Sequence, residues 1–253
     1  MTEPLAPFSA AVNGCFSQGA AAYDSNARLQ RGIAARLEGL CRRRALPLPP
    51  GPRADLGAGS GLLSRALERA LGGPPFLRVD QCAALLEQES LVPQQRWDLN
   101  QGLPLELRDA ACLASSFALQ WLEQPQEQLE HWCSCVQAGG WLLLAVPTSG
   151  SFPIWKEAAL NAAVPCTALV LPEAQPLIAT AEAQLELVCQ QQLRFSRPNP
   201  GGLRFLQQIK AIGAQASRGP QLPAGQLRRL LRHWPGPEQA ILWEVLLLIG
   251  QKR

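Results

Sequence analysis

The stretch that decides the fold is DLGAGSG, Asp55 to Gly61, in which three glycines alternate with small residues and an acid precedes the first glycine by two positions. It follows a proline-rich connector, ALPLPPGPR (45–53), and opens a segment with the pattern of a helix. A glycine-rich turn between a strand and a helix lets a ligand approach the backbone at the carboxyl edge of a parallel sheet. The dinucleotide fingerprint G-x-G-x-x-G requires glycine at position 62, where this chain has Leu62. The turn therefore predicts a ligand site of another kind.

Asp55 indicates which kind of ligand the turn would hold. A pyrophosphate is negatively charged and would be repelled by an adjacent carboxylate. A carboxylate suits a ligand that carries an ammonium group and no phosphate, and S-adenosylmethionine carries an ammonium, a sulfonium, a ribose diol and an adenine. We therefore expect S-adenosylmethionine at Asp55, Gly57, Gly59 and Gly61, with its amino group near Asp55.

The remaining contacts to this cofactor are expected in chain order, each after a strand. Asp80 ends the strand FLRVD and would accept hydrogen bonds from the ribose hydroxyls, with Gln81 beside it. Asp98 would accept from the adenine amino group, and the N–H of Leu99 would reach a ring nitrogen. Ser115, at the end of a later strand, would offer backbone groups to the methionine part.

Strands and helices alternate along the chain, which predicts an α/β fold with a mainly parallel sheet. Strands are predicted at 74–80, 109–116, 141–147, 184–195 and 238–252, and helices at 24–40, 61–71, 82–90, 125–140, 151–163, 202–213 and 223–234. Asp24 to Asn26 are expected to cap the first of these helices, and Gly139-Gly140 to close the helix at 125–140. The last two strands lack a short helical crossover between them, so an antiparallel edge is expected.

Composition argues against several classes of protein. With 47% apolar residues and no apolar run that could span a bilayer, the 253-residue chain is expected to be globular and to bind no membrane. The N-terminal MTEPLAPFSAAV lacks the basic region of a secretory signal, which indicates a cytoplasmic protein. Eight cysteines are scattered and only two histidines are present, so we expect reduced thiols and no metal site.

Charge is unevenly distributed. Residues 194–253 contain ten basic and two acidic residues, a net charge of +8, whereas residues 1–193 contain 13 basic and 18 acidic residues, a net charge of −5. Such asymmetry indicates either an acidic partner for the C-terminal part or a solvated helix face.

Three stretches, in order and covering most of the chain, carry a family resemblance. They are VNGCFSQGAAAYDSNARLQRGIAARL (12–37), SSFALQWLEQPQEQLEHWCSCVQAGGWLLLAVPTSGSFPIWKEA (115–158) and FLQQIKAIGAQASRGPQLPAGQLRRLLRHWP (205–235). They resemble the malonyl-acyl-carrier-protein O-methyltransferases of biotin synthesis. One departure is PPGPRADLGAG, which replaces the usual apolar first strand ending in D-x-G-C-G, so a short first strand is expected.

The resemblance implies a Rossmann-like class I methyltransferase fold, with a seven-stranded, mostly parallel sheet and an antiparallel last strand. The single domain would comprise N-terminal lid helices (1–46), a cofactor-binding core (51–195), a helical insert over the substrate (196–237) and the last strand (238–253). The implied reaction is methyl transfer from S-adenosylmethionine to the free carboxylate of a malonyl thioester, carried on acyl carrier protein or coenzyme A. That carboxylate is already ionised at neutral pH, so no general base is needed.

The same resemblance suggests the substrate-side residues. Tyr23, in the lid pattern, would close over the methyl donor as the catalytic residue, and Trp121 would wall the substrate pocket. Arg204 and Lys210 in the insert would grip a carboxylate or thioester oxygen. The charge of the C-terminal part, and not the resemblance, indicates the docking site. Arg228, Arg229 and Arg232 lie on the helix that is expected to dock the acidic carrier protein.

Two other functions stay open at the level of sequence: methylation of another small carboxylic acid, and cofactor binding without catalysis. A nucleic-acid methyltransferase is not expected, since SSFA (115–118) stands where base methylators have an N-P-P-Y type motif. A monomer without nucleic-acid partners is expected.

Overall fold

The computed structural model of the protein describes residues 7–89, 91–219 and 221–253. Seven strands of this part form one sheet in the order β3-β2-β1-β4-β5-β7-β6. The strands are β1 (Arg53–Leu56), β2 (Leu77–Asp80), β3 (Gln94–Arg96), β4 (Ala110–Ser116), β5 (Val136–Pro147), β6 (Leu185–Arg197) and β7 (Ile241–Lys252). The pairs from β3 to β5 are parallel, and β7 is antiparallel to both of its neighbours. The predicted fold class is confirmed, and β1 is short as expected, with four residues.

The expected antiparallel edge is confirmed, because the edge strand β6 pairs antiparallel with β7. β7 lies between β5 and β6, pairing Leu248 with Leu144 on one side and with Gln190 on the other. Its middle is buried on both faces, whereas β6 alternates between buried and exposed residues. A strand that is apolar on both faces needs neighbours and covering layers, so β7 is central and the half-polar β6 forms the edge.

Helices cover both faces of the sheet. In the described part of the chain they are α1 (Pro7–Asn26), α2 (Arg28–Arg44), α3 (Leu62–Leu71), α4 (Ala83–Leu86), α5 (Pro125–Cys135), α6 (Pro153–Asn161), α7 (Ala174–Glu182), α8 (Gly202–Ala211) and α9 (Ala224–Arg232). Along β5, Leu142 and Leu144 join the core formed with α5 and α7, and Leu143 joins the core formed with α2 and α3. This alternation follows from the two-residue period of a strand.

The N-terminal region forms two helices, α1 and α2, which have different surroundings. Asp24 to Asn26 belong to the last turn of α1, and α2 starts after Ala27 without a side-chain cap, so the predicted caps are wrong. The apolar positions of α2, including Ile33 and Leu37, are buried in the sheet core against α3. Of the residues expected to form the lid, those of α1 line both cavities described below, and Gln30 of α2 lines the second, while most of α2 is a core helix.

Further differences concern helix ends and short elements. α5 ends at Cys135 and the chain continues directly into β5, so Gly139 and Gly140 lie in a strand and do not cap a helix. The helix expected at 82–90 is α4 followed by a 3₁₀ turn, Glu87–Glu89, and its last residue lies outside the described residues. The strand expected before Asp98 is β3, whose bounds were not predicted because it has only three residues, and α7 was not predicted because it follows an irregular segment.

All eight cysteines are free thiols, and six of them are buried, in keeping with their predicted use as small apolar residues. Among the helices described, none combines the length and apolarity needed to cross a bilayer.

Candidate active site

The glycine loop joins β1 to α3 at the carboxyl edge of the sheet. Gly57, Gly59 and Gly61 have positive φ angles of 71°, 55° and 83°, a region that side-chain-bearing residues rarely adopt. A Cβ at Gly57 would overlap the Cβ of Ala118, and one at Gly61 would overlap the guanidinium of Arg78. At Gly57 and Gly61 the surrounding protein therefore leaves no space for a side chain. At Gly59 a Cβ would meet only the far side chains of Leu85 and Tyr23, at 3.8 Å or more.

Asp55 is held at the start of this loop by one residue of α3. Its Oδ2 accepts hydrogen bonds from the backbone N–H of Ser64 at 3.0 Å and from the Ser64 hydroxyl at 2.6 Å. The Asp55 Oδ1 atom is buried, and no partner for it is found among the described residues. Burial raises the pKa of Asp55 to about 6, against the opposing effects of the Ser64 hydrogen bonds and the charge of Arg78.

This raised pKa predicts a pH-dependent stability difference between the protein and its Asp55→Asn variant, both without ligand. A carboxyl whose pKa is higher in the folded state stabilises it below the unfolded pKa, and that stability is lost as the pH rises through about 6. We expect the variant to gain about 2–3 kcal/mol on the parent between pH 4 and pH 7. Denaturant unfolding at both pH values measures the difference, and a constant offset would contradict it.

A first cavity, which we call the loop cavity, lies between the glycine loop and α1. Its lining includes Gly57, Gly59, Asp80, Gln81, Asp98 and Leu99, together with Val12, Phe16 and Tyr23 of α1. Asp80 Oδ2 accepts the N–H of Gly59 at 2.8 Å, and its Oδ1 accepts the N–H of Cys82 at 2.8 Å. Burial raises the pKa of Asp80, and these backbone donors oppose that effect. The structure thus brings most of the predicted cofactor residues around one space.

Helix α1 is tied directly to the polar end of the loop cavity. The buried Ser9 hydroxyl lies 2.7 Å from Gln81 Oε1 and 3.0 Å from Asp98 Oδ2, so its proton is shared between two acceptors. The other Asp98 oxygen accepts from the backbone and side chain of Asn100, at 3.0 and 2.8 Å. Ser9 was not predicted as a site residue. It lies outside the matched stretches, and its contacts depend on how α1 packs.

The middle of α1 rests on the segment that follows α8. A Cβ at Gly19 would lie 2.9 Å from the backbone N of Gly213, and one at Gly213 would lie 2.7 Å from the Cα of Phe16. Gly213 also has a φ of 73°. Near the start of α1, the guanidinium of Arg218 stacks 4.0 Å from the centre of the Phe8 ring. These contacts hold α1 across the cavity.

A second cavity, which we call the apolar cavity, adjoins the first. Phe16, Tyr23, Phe117 and Trp121 line both cavities. Trp121 meets Phe16 edge to face, with ring centres 5.5 Å apart. Burial, followed by the charges of Asp80, Asp24 and Asp55, raises the pKa of Tyr23 well above its ordinary value. Its hydroxyl therefore remains protonated at the junction of the two cavities.

The lining of the apolar cavity, as far as the chain is described, contains no Asp, Glu, His, Lys or Arg. Polar groups come from Tyr23, Gln30, Gln120, Thr167 and Gln215. Gln120 Nε2 donates to the carbonyl of Phe117 at 2.7 Å. For the Oε1 atoms of Gln120 and Gln215 no partner is found among the described residues, although both atoms are buried. The cavity can orient a substrate with neutral groups but offers no acid or base.

Two predicted substrate residues lie away from this cavity. Arg204 and Lys210 are both exposed, and neither lines it. In α8 the buried positions are Gly202, Phe205 and Ile209, and Arg204 and Lys210 lie next to this buried face and point to solvent. The structure does not bring them to the apolar cavity, and their contact with the substrate stays a prediction from the sequence.

Ser115 also lies outside the lining of both cavities. Its hydroxyl is buried and donates to the carbonyl of Leu56 at 2.8 Å, which ties β4 to β1. The next residue, Ser116, lines the loop cavity. The strand therefore reaches the site one residue later than predicted.

The three arginines of the predicted docking helix are all exposed on α9. Arg229 donates to the carbonyl of Ala163 at 3.2 Å. Within the described ranges, Arg228 and Arg232 form no ion pair with a carboxylate. The helix thus presents unneutralised positive charge to solvent.

Comparison with solved structures defines the class of the fold. The YcgJ protein of Bacillus subtilis superposes with a TM-score of 0.57 at 16% identity, covering 85% of this chain and 97% of that one. A geranyl diphosphate methyltransferase solved in complex with SAM gives a TM-score of 0.51 at 14% identity, covering 87% of this chain and 85% of that one. The fold is that of the Rossmann-like class I methyltransferases.

Sequence comparison narrows this class. No family model matches the chain. The biotin biosynthesis bifunctional protein BioCD of Bordetella avium is 32% identical over 233 residues, which are 87% of this chain and 47% of that protein. A malonyl-[acyl-carrier protein] O-methyltransferase of Alcanivorax borkumensis is 31% identical over 152 residues, 56% of this chain and 49% of that protein. The chain spans about half the length of these two curated relatives.

A third relative is matched along most of its length. The malonyl-[acyl-carrier protein] O-methyltransferase of Neorickettsia risticii is 22% identical over 237 residues, 87% of this chain and 88% of that protein. The chain is a homologue of proteins named malonyl-[acyl-carrier protein] O-methyltransferase, as the three sequence stretches suggested.

Proposed function

We propose that the protein transfers a methyl group from S-adenosylmethionine to the free carboxylate of a malonyl thioester. The thioester is carried on acyl carrier protein or coenzyme A, and its methyl ester starts pimeloyl synthesis for biotin. The curated relatives support this substrate class. The observation that carries the proposal is the apolar cavity, which adjoins the loop cavity and whose described lining has no acid or base.

The residues of the loop cavity fit S-adenosylmethionine, which supplies the methyl group. Asp55 does not line the loop cavity itself but a small adjoining space, together with Tyr23, Gly57 and Ser116. Its partnerless Oδ1 suits an ammonium group, because a buried carboxylate oxygen without a donor is unfavourable. Asp80 suits the ribose hydroxyls and Asp98 the adenine amino group. Gly59 lines the loop cavity, and a Cβ there would touch Leu85 and Tyr23 only at van der Waals distance, so a ligand can approach the loop at this residue.

The apolar cavity fits a substrate that arrives as its own nucleophile. A malonyl carboxylate is ionised at neutral pH, so the protein needs to remove no proton before the transfer. What the reaction needs is orientation and exclusion of water. The Tyr23 hydroxyl is a neutral donor that orients the carboxylate, and the aromatic walls keep water away.

The mass of the product and its alkaline hydrolysis identify this reaction. Incubation with S-adenosylmethionine and a malonyl thioester should give a thioester that is heavier by one methylene unit and that releases methanol on mild alkaline hydrolysis. Methylation at sulfur or carbon would release no methanol and would contradict the proposal. Methylation of free dicarboxylic acids but not of thioesters would support the alternative substrate class.

Tyr23→Phe should lower turnover about fivefold to tenfold, the contribution of one neutral hydrogen bond, while leaving cofactor affinity nearly unchanged. The ring still fills the wall shared by the two cavities, so only the hydroxyl is lost. Single-turnover kinetics together with calorimetric cofactor binding separates the two quantities. Parent-like turnover in the variant would remove Tyr23 from the catalytic residues.

We also propose that α9 docks the acyl carrier protein. Arg228 and Arg232 are four residues apart on one exposed face, and residues 194–236 contain eight basic residues and no acid. Exposed charges of this kind raise the association rate and are screened by salt. The other expected properties, a monomer in the cytoplasm that binds no nucleic acid, stay predictions from the sequence.

Reversing Arg228 and Arg232 to glutamate should raise the apparent KM for malonyl-carrier protein several-fold, while sparing small malonyl thioesters. The matched control is the pair Arg43→Glu and Arg253→Glu, which changes the net charge equally at exposed positions elsewhere. Steady-state kinetics at low and high salt measures both. Equal effects of the two pairs, or equal loss with small thioesters, would show that α9 is only a solvated surface.

A further inference from the structure

A surface groove adjoins the apolar cavity. We call it the arginine groove; it is lined by Arg28 and Leu29 at the start of α2, by Phe195 and Arg197 at the end of β6, and by Gln208 of α8. Gln30, Ile209, Ile212 and Trp243 line both the groove and the apolar cavity. These four side chains therefore lie where the two spaces meet.

The charge of the groove is positive and lacks a counter-ion. Its described lining includes two arginines and no acid. Neither guanidinium lies within 4.0 Å of a carboxylate in the described ranges of the chain. Burial, and next the charge of Arg28, lower the pKa of Arg197. Two like charges that face one space without a carboxylate favour a bound anion.

Arg197 is held in position by its neighbours. Its Nη2 donates to Gln208 Oε1 at 2.7 Å, and its guanidinium carbon lies 6.0 Å from the centre of the Phe205 ring. The opposite wall is the first turn of α2, which begins after Ala27 without a side-chain cap.

We propose that the arginine groove binds the phosphate of a phosphopantetheine arm and thereby delivers the thioester to the apolar cavity. This inference rests on the proposed function, because carrier protein and coenzyme A both hold their thioesters at the end of this arm. Arg28 and Arg197 contact the phosphate, and the apolar lining formed by Leu29, Phe195 and Ile209 contacts the arm. The acyl end passes between Gln30, Ile212 and Trp243.

Binding of free 4′-phosphopantetheine and of dephosphorylated pantetheine, measured by calorimetry on the full chain, tests the groove without any methyl transfer. The parent should bind the phosphorylated compound about tenfold tighter or more, as expected for charge-assisted contacts to a phosphate. Arg28→Gln combined with Arg197→Gln should remove this preference. Arg43→Gln, at the exposed far end of α2, is the matched control and should keep it.

Equal binding of both compounds by the parent, or a preference that survives the double substitution, would overturn the proposal. Kinetics supplies the second test: the double variant should raise the KM for malonyl-coenzyme A about tenfold but leave unchanged that for malonyl-N-acetylcysteamine, which has no phosphate. If the parent methylates no malonyl thioester yet prefers phosphopantetheine, the proposed function fails while the anion site stands.

Discussion

Asp80→Ala should weaken the binding of S-adenosylmethionine by one to two orders of magnitude, about 1.4–3 kcal/mol for lost charge-assisted hydrogen bonds. The carboxylate faces the loop cavity and also orders the loop itself, accepting the N–H groups of Gly59 and Cys82 at 2.8 Å each. Both effects of the substitution act against the cofactor. Isothermal titration of the purified protein measures the affinity directly.

Two further variants serve as controls for the Asp80→Ala result. Asp80→Asn keeps an acceptor for one of the two backbone donors but loses the charge, so it should bind with intermediate affinity. Glu106→Ala removes an exposed carboxylate away from the cavity and should change nothing. If Asp80→Ala binds the cofactor as tightly as the parent, the loop cavity does not hold the ribose in the way described.

Gly57→Ala should destabilise the protein by about 3 kcal/mol or more, since it adds overpacking to a strained left-handed backbone. The φ of Gly57 is 71°, and the new Cβ would overlap the Cβ of Ala118. Because the loop would have to move, cofactor affinity should fall together with stability. Denaturant unfolding gives the free energy, and calorimetry gives the affinity.

A second substitution can relieve the overlap between the new Cβ at position 57 and Ala118 while leaving the strained backbone conformation unchanged. Ala118→Gly removes the opposing Cβ, so the double variant Gly57→Ala, Ala118→Gly should recover most of the loss and retain about 1 kcal/mol of strain. As a control, Gly32→Ala in α2 meets nothing within 4 Å and should be neutral or slightly stabilising. An unchanged stability of Gly57→Ala would contradict the loop geometry.

Local patterns predicted the parts of the site that lie at the ends of strands. The glycine loop and the acids after β2 and β3 were recognisable because a parallel sheet gathers the ends of its strands at one edge. The fold class followed from the alternation of strands and helices and from the family resemblance. The order of the last two strands did not follow from either, since it depends on which strand can be buried on both faces.

The remaining parts of the site depend on how distant elements pack. Ser9 has no local signature, yet the packing of α1 places it against Gln81 and Asp98. Arg204 and Lys210 lie in the predicted insert, but the phase of α8, fixed by Phe205 and Ile209, turns them outward. Charge and position in the chain were insufficient to predict that these two residues contact the substrate. The orientation of the buried face of a helix decides which side chains reach a cavity.

The most direct test of the account is transfer of a labelled methyl group from S-adenosylmethionine to carrier protein loaded with malonyl, glutaryl or acetyl groups. The described lining of the apolar cavity offers no acid or base, so the substrate must bring an ionised carboxylate as the nucleophile. The account predicts alkali-labile label on malonyl-carrier protein and none on acetyl-carrier protein, which has no free carboxylate. Equal labelling of the acetyl form, or no labelling of the malonyl form by protein that binds the cofactor, would contradict it.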